Sequence, residues 1–576
     1  RSTWRRRTVR AILSAGALTT WRKMMNWINK HKKKFWFSLL VNGALLLLLL
    51  LIFRPKYETN DDMGILCMVS GVKLGADAHL VYINYVLGKI LVLCYQAAGG
   101  VPWYALIQYG VLLGAFTAIT YVCLNKIESR NVIWILAAVL TAFSFEAYIK
   151  LQYTKTAGIL SAAGLFLFCY AVTSKEKFKQ RLLSSIFLCA FGFMYRNVQF
   201  FAEAALMSAA GISVLFLCFR QLKEKKNTIL VQGLTGCVVL AVVLGGLFAA
   251  DKLAYRSEVW QDYLAYNTVR TELYDYGFPD YESHKETYDA LQIDENAFKL
   301  YKQWNHGDSE KMSTEVMESI ASAKPEKTVN KKLISGYLHL FPVKFFTIAV
   351  FNIFLMVFLY SFLTGTFSRE SVLSLIFEAV MIMLLYFYLY YQGRYLYNRV
   401  DVGIWLAASL VVIWNYNQGN GKYASVEGAI LAVLALAVCV SQGSWVSRLR
   451  VNAKEDYSKM RAFIEELHSD QEHLYLTKMG TVSFAKAYGV FDVIPKGMAD
   501  NLYPLGGWTA NTPVYTEVLE KYGVVNPFRD MIGNEKIYLL DKEIDRTMEY
   551  LHTYYDADAE AEEVAVNGKT GIYQIQ

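Results

Sequence analysis

Apolar residues in this chain fall into eleven blocks, at 35–53, 101–124, 131–149, 156–173, 182–196, 200–219, 228–250, 338–362, 370–391, 402–415 and 425–440. A helix needs about 20 consecutive apolar residues to cross the hydrocarbon of a bilayer. The pattern therefore predicts a mainly α, polytopic membrane protein of about eleven transmembrane helices. Blocks 182–196 and 200–219 are read as two helices joined by a short turn, because Arg196-Asn197 between them is costly in lipid. The 402–415 block is the shortest, and losing it would move the C-terminus to the other side.

Two gaps and the tail are too long to be simple connections. In the first, 54–100, the stretch 79–98 is apolar but interrupted by Asn84, Lys89 and Gln96, a pattern that suits a helix lying at the membrane interface. The second, 251–335, carries paired charges, many aromatics and a Gly277-Phe278-Pro279 turn, and predicts a folded cap with helices near 285–305 and 313–323. In the tail, strand-like runs at 473–477, 536–540 and 571–575 alternate with helical stretches at 454–468, 513–522 and 543–554. This alternation predicts a small α/β domain. The expected organisation is a basic N-terminus (1–34), a transmembrane domain (35–440) that includes both outer loops, and an α/β domain (441–576). Residues 1–23 precede Met24-Met25, are strongly basic and read as non-native, so no functional argument uses them.

Charge orients this plan. Lys and Arg cluster at 30–34, 126–130, 174–181 and 220–226, which are alternate gaps, and cytoplasmic loops are the ones that retain such clusters. The other gaps hold Asp61-Asp62, Lys150 to Lys155, Arg196 and the run Arg394 to Arg399, so these fall together on the extracytoplasmic face with the cap and the tail. The net charge of +8 is unevenly spread: residues 443–576 have 14 Lys/Arg against 21 Asp/Glu. The basic excess thus lies in the N-terminus and inner loops, which fits anionic lipid and excludes a nucleic-acid partner. Neither 251–335 nor the tail contains Cys, so those outer regions fold without disulfides, as in a bacterial cell envelope. No GxxxxGK[ST], GxSxG, HExxH or dinucleotide fingerprint occurs, which argues against an ATP pump and against a nucleotide-sugar donor used inside the cell.

The sharpest chemical feature is Asp61-Asp62, just beyond the first span. A carboxylate beside apolar surface and a second negative charge has a raised pKa, which makes it a better general base. Adjacent carboxylates could also hold a divalent cation, although no metal ligand set and no redox cofactor is expected. An acidic pair in the first outer loop, an interfacial helix, many further spans and a C-terminal outer domain resemble the GT-C superfamily of membrane glycosyltransferases.

The resemblance implies a sugar donor linked to polyprenyl phosphate, an envelope glycan or lipid acceptor, inversion at the sugar carbon, and Asp61 or Asp62 as base. On that reading Arg196, Arg394, Arg399, Lys150 and Lys155 are candidates to hold the donor phosphate, since Arg grips phosphate bidentately and Lys supplies a point charge. Snorkelling to lipid head groups, or pairing with Glu146, Glu203 or Asp401, is the alternative for these cations. Trp260, Tyr266 and Arg270 in the cap are candidate sugar or acceptor contacts, with Trp508 in the tail. A polysaccharide polymerase or ligase using Arg256 and Arg270, a flippase of lipid-linked glycans, and a non-catalytic assembly protein stay open as alternatives.

Overall fold

The computed structural model describes residues 33–127, 131–174, 176–224, 227–345, 348–394, 397–418 and 457–576. Six helices there are long and apolar enough to cross a membrane: Lys34–Ile52, Trp103–Lys126, Tyr153–Thr173, Asn197–Lys223, Thr228–Ala254 and Arg369–Tyr391. Asn131–Ile149, Phe178–Tyr195, Ala349–Thr364 and Asn398–Asn415 pack among them. The protein is thus mainly helical, with a polytopic membrane bundle and a small C-terminal α/β domain. The expected span at 425–440 and the basic 1–23 segment lie outside the described residues.

The bundle is organised around the Tyr153–Thr173 helix. Lipid tails are as apolar as Leu, so helices associate in a membrane by close packing of small residues. This helix supplies Gly158, Ser161, Ala162, Ala163 and Gly164. It approaches its neighbours so closely that a Cβ on Gly158 would lie 2.9 Å from Gly403 Cα. In its most apolar stretch 78% of residues are buried, against 6% for Thr228–Ala254, so one is the bundle axis and the other a lipid-facing edge.

Short ladders fasten the helix ends. Lys56–Tyr57 pairs in parallel with Lys150–Leu151, which ties the ends of the Lys34–Ile52 and Asn131–Ile149 helices together. Gly365–Thr366 pairs antiparallel with Asn417–Gln418 at the ends of two further helices.

Three expectations need correction. The 338–362 block, read as one span, forms two helices, Lys331–Phe345 and Ala349–Thr364. Pro342 lies in the last turn of the first, where its nitrogen carries no amide hydrogen for the helical ladder. The interfacial stretch 79–98 is helical only over Tyr85–Ala97, capped by Asn84, whose side chain accepts from the Val86 amide at 3.0 Å. The cap helix expected at 285–305 breaks into Lys285–Ala290 and Glu295–Lys302. Gln292 takes a φ of +56° at the break, and Asp294 restarts the helix by accepting from the Ala297 amide.

The tail is a five-stranded sheet in the order 502–504, 474–477, 537–541, 570–575, 561–567. The first three strands are parallel and the last two antiparallel. This domain is clamped to both long loops, 54–100 and 251–335. Gly497 and Ala499 donate backbone hydrogen bonds to Gly71 and Val72 at 3.0 and 2.9 Å. From the cap, the buried Asp308 accepts from Tyr550, Tyr555 and Asn526 of the tail.

The tightest contact is at Gly506, where an added Cβ would stand 1.5 Å from the Trp304 carbonyl oxygen. Gly506→Ala should therefore destabilise the docked tail by about 1–3 kcal/mol, the usual cost of forced overpacking. The checks are a lowered melting temperature and earlier proteolysis of the tail. An unchanged melt would show that this contact does not hold the domain.

Candidate active site

The loop, the cap and the tail meet over the helix ends and enclose a cavity of about 330 Å³. The Asn60–Ser70 helix forms its floor. Asp61, Gly64 and Cys67 recur every three residues, so they share one helix face. Together they line about 9 Å of the cavity's length at 1.5 Å per residue. The membrane helices contribute Tyr153, Arg196, Arg394 and Arg399 from their ends. The cap contributes Arg270, Asp275 and Trp304, and the tail loops around 477–485 and 499–509 complete the wall, with Trp508 over Gly64.

The two adjacent carboxylates have different environments. Asp61 faces the cavity, 28% exposed at its side chain, with the Arg399 guanidinium 3.8 Å away. Burial raises its pKa, and Arg399 and Arg196 oppose that rise.

Asp62 points the other way and is fully buried. It accepts from the Tyr104 hydroxyl at 2.8 Å, the Tyr153 amide at 3.0 Å and the Thr59 hydroxyl at 3.2 Å. It thereby pins the start of the floor helix to two membrane helices. Burial outweighs these donors and pushes its pKa up to about 8.

The folded chain therefore keeps this proton up to about pH 8, whereas the unfolded chain releases it near 3.8. Stability contributed at this site is present in acid and is lost as pH rises through that window. Asp62→Asn keeps the shape and removes the titration, so its melting temperature relative to the parent should climb between pH 4 and 8. Parallel curves for the two proteins would refute the assignment.

Five cations line the cavity, Lys73, Arg196, Arg270, Arg394 and Arg399, against two carboxylates, Asp61 and Asp275. Arg394 pairs with Asp275 at 3.2 Å. Arg196 instead donates to the Tyr153 hydroxyl at 2.7 Å and lies over the rings of Tyr82 and Tyr153. Arg270 is 1% exposed, donates to Asn267 Oδ1 at 2.9 Å and to the hydroxyls of Tyr82 and Thr271, and sits over Trp304. Among the described residues neither Arg196 nor Arg270 has a carboxylate within ion-pair distance. A buried charge without a partner is expensive, so the buried Arg270, with the half-buried Arg196 near it in the lining, is poised for an anion from outside the chain.

The structure does not bring every candidate here. Lys155 is buried between Glu58 and Glu146, and Lys150 pairs with Glu146 at 3.1 Å, so neither lines the cavity. Trp260 stacks on His79, with ring centroids 4.5 Å apart, and is also outside the lining. Tyr266 contacts Nδ1 of His306 at 2.6 Å. Burial and the Arg270 charge hold the His306 pKa down to about 3, so the ring is neutral and its Nε2 accepts from the Gly507 amide. Tyr266 therefore supports the cavity wall from behind.

Sequence reasoning missed Lys73, Tyr82, Tyr153, Asp275 and Trp304. Lys73 carried a usable signal, as a single charge within the apolar run Met63 to Leu74. Among the described residues no three His, Cys, Asp or Glu side chains gather as a metal site.

No protein-family model matches this chain, and no curated protein matches it in sequence. Among the solved structures similar to it are two of one protein. ArnT from Cupriavidus metallidurans bound to undecaprenyl phosphate shares 10% identity at a TM-score of 0.39, over 93% of this chain and 97% of that one. The apo state of the same protein shares 10% identity at a TM-score of 0.38, over 97% and 98%.

Proposed function

We propose that this protein is an integral membrane glycosyltransferase that takes a sugar from a polyprenyl-phosphate donor and passes it to an envelope glycan or lipid on the extracytoplasmic face. The observation that carries this reading is one cavity at the helix ends holding both a partly exposed carboxylate, Asp61, and the guanidiniums of Arg196 and Arg270, neither with a carboxylate at ion-pair distance among the described residues. A lipid phosphate enters such a site from the bilayer with its head group at this depth, and the aromatic walls Tyr82, Trp304 and Trp508 suit a sugar ring.

In the reaction the acceptor hydroxyl gives its proton to the Asp61 carboxylate. The oxygen bonds to the anomeric carbon from the face opposite the phosphate. The bond from that carbon to the phosphate oxygen breaks, and the configuration inverts. The lipid phosphate leaves with one more negative charge, which Arg196 and Arg270 stabilise more strongly than the donor's single charge. Asp62 acts as a positioning residue through the floor helix. No electrons go to a carrier, so no redox cofactor enters. Asp61 faces Arg399 rather than a second carboxylate, and we assign no divalent metal to the acidic pair.

The test is transfer of labelled sugar by the purified protein in lipid nanodiscs, offered undecaprenyl-phosphate sugars and crude envelope glycans. Turnover of a lipid-monophosphate donor supports the reading. Turnover only of oligosaccharide diphosphate lipids would favour a polymerase or ligase, and movement of the intact lipid across the bilayer without transfer would favour a flippase.

Sidedness has its own measurement. Cys placed at Lys299 in the cap or Glu549 in the tail should react with an impermeant maleimide on intact cells. Reaction only after lysis would place the cavity on the cytoplasmic side and remove the donor argument.

A further inference from the structure

Lys73 is a cation that the proposed reaction does not use. It follows the floor helix just past Gly71, is 3% exposed and lines the cavity. Among the described residues its ammonium has neither a carboxylate within ion-pair distance nor a hydrogen-bond acceptor, and it lies 3.6 Å from the centre of the Tyr515 ring. A buried ammonium held only by an aromatic face is under-satisfied, because a ring offsets a small part of the lost hydration.

The position along the cavity matters as much as the charge. Asp61 opens the floor helix and Cys67, the lining residue nearest Lys73 in sequence on that helix, lies about 9 Å further along the axis. The groups that act on the Lys73 ammonium are Cys67, Asp500 and the Tyr515 ring, which sets it towards the end of the floor helix away from Asp61. Between the two ends, Trp508 packs over Gly64 with its ring carbon 3.1 Å from where a Cβ would stand, which narrows the passage to a slot with an aromatic wall.

We infer that Lys73 and the slot beside Trp508 form a second anion subsite, which recognises an acidic group on the sugar chain reacting at Asp61. Its ligand is an acidic glycan bearing a carboxylate or a phosphate. This rests on the glycosyltransferase reading of the cavity and narrows its acceptor class. The groups facing Lys73 are Tyr515, Cys67 and Asp500. Burial holds the ammonium down to about 7, against the smaller opposing pulls of Cys67 and Asp500. An anion in the slot favours the charged ammonium, so binding takes up a proton there and should tighten as pH falls from 8 to 6.

The test uses the full-length protein in nanodiscs and ligand-detected NMR with glucuronic acid, glucose 1-phosphate and glucose, alongside undecaprenyl phosphate as the lipid probe. Glucuronic acid keeps a fixed charge over this pH range, so it isolates the titration of the protein. We expect glucuronic acid to bind at least tenfold more tightly than glucose, with the gain growing towards pH 6. Lys73→Met should abolish both the gain and its pH dependence, Lys73→Arg should keep the gain and lose the pH dependence, and undecaprenyl phosphate should lose less than threefold affinity in either variant. Preference for glucose 1-phosphate over glucuronic acid would assign the acidic group as phosphate, and the reverse as carboxylate.

Equal binding of glucuronic acid and glucose to the parent protein would overturn the proposal. So would a loss of undecaprenyl phosphate as large as the loss of glucuronic acid, which would move Lys73 into the donor site. Failure of the parent to bind undecaprenyl phosphate at all, with the acidic-sugar preference intact, would instead count against the donor reading. A melting temperature taken on each variant separates misfolding from loss of the subsite.

Discussion

Replacing Asp61 with Asn should lower the turnover of sugar transfer by about 100- to 10,000-fold, the range that a positioned general base contributes. The substitution keeps the side-chain shape and removes only the proton acceptor. Asp61 is partly exposed and its nearest charge is Arg399 at 3.8 Å, so the change breaks no buried network. Affinity for undecaprenyl phosphate should stay level or rise, because a negative charge beside the phosphate site is gone. The loss should fall in kcat rather than KM, since the proton moves only in the transition state. The acid limb of the rate profile should lie above the ordinary carboxylate range, because burial raises the Asp61 pKa. Full activity of Asp61→Asn would end the base assignment, and the same loss in Asp62→Asn without a change in fold would transfer it to the neighbour.

The second large effect concerns Arg270. Its guanidinium is buried, makes its hydrogen bonds to neutral oxygens and stands under Trp304. If it stabilises the departing phosphate, Arg270→Met should reduce kcat/KM by about 100- to 1,000-fold, the usual cost of removing one preorganised donor from a developing oxyanion. The same variant should melt no lower than the parent, because it removes a desolvated charge that no carboxylate compensates. Arg270→Lys should fall between, with the charge kept and the bidentate fork lost. A structural arginine would show the opposite signature: a lower melting temperature with activity per folded molecule unchanged.

Much of the plan was legible in the sequence because lipid imposes a simple rule. Long apolar runs mark Lys34–Ile52 or Thr228–Ala254 without any knowledge of their neighbours. The strands at 474–477, 537–541 and 570–575 were legible for a related reason, as compact β-rich runs between turn residues. The strand at 561–567 was not: its sequence Ala-Glu-Glu-Val-Ala-Val-Asn is almost wholly exposed on the sheet edge, so it lacks the apolar face that reveals a strand.

Among the cations, Lys155 and Arg196 look alike in sequence, each a charge at the end of an apolar run. What separates them is a partner supplied from elsewhere. Glu58 and Glu146 reach Lys155 from distant parts of the chain, whereas Arg196 meets only tyrosines. The tail's share of the cavity wall was illegible because it depends on how loops around Trp508 dock on Gly64.

That shared roof bears on how the protein is made. The floor of the cavity is set by residue 70 and all five of its cations by residue 399, but the wall ends only at Thr509 and Tyr515. A ribosome that has finished the described membrane helices has thus produced every charged residue of the chamber and none of its tail wall. The nascent chain exposes an open cationic trough to lipid head groups until the tail domain emerges and docks.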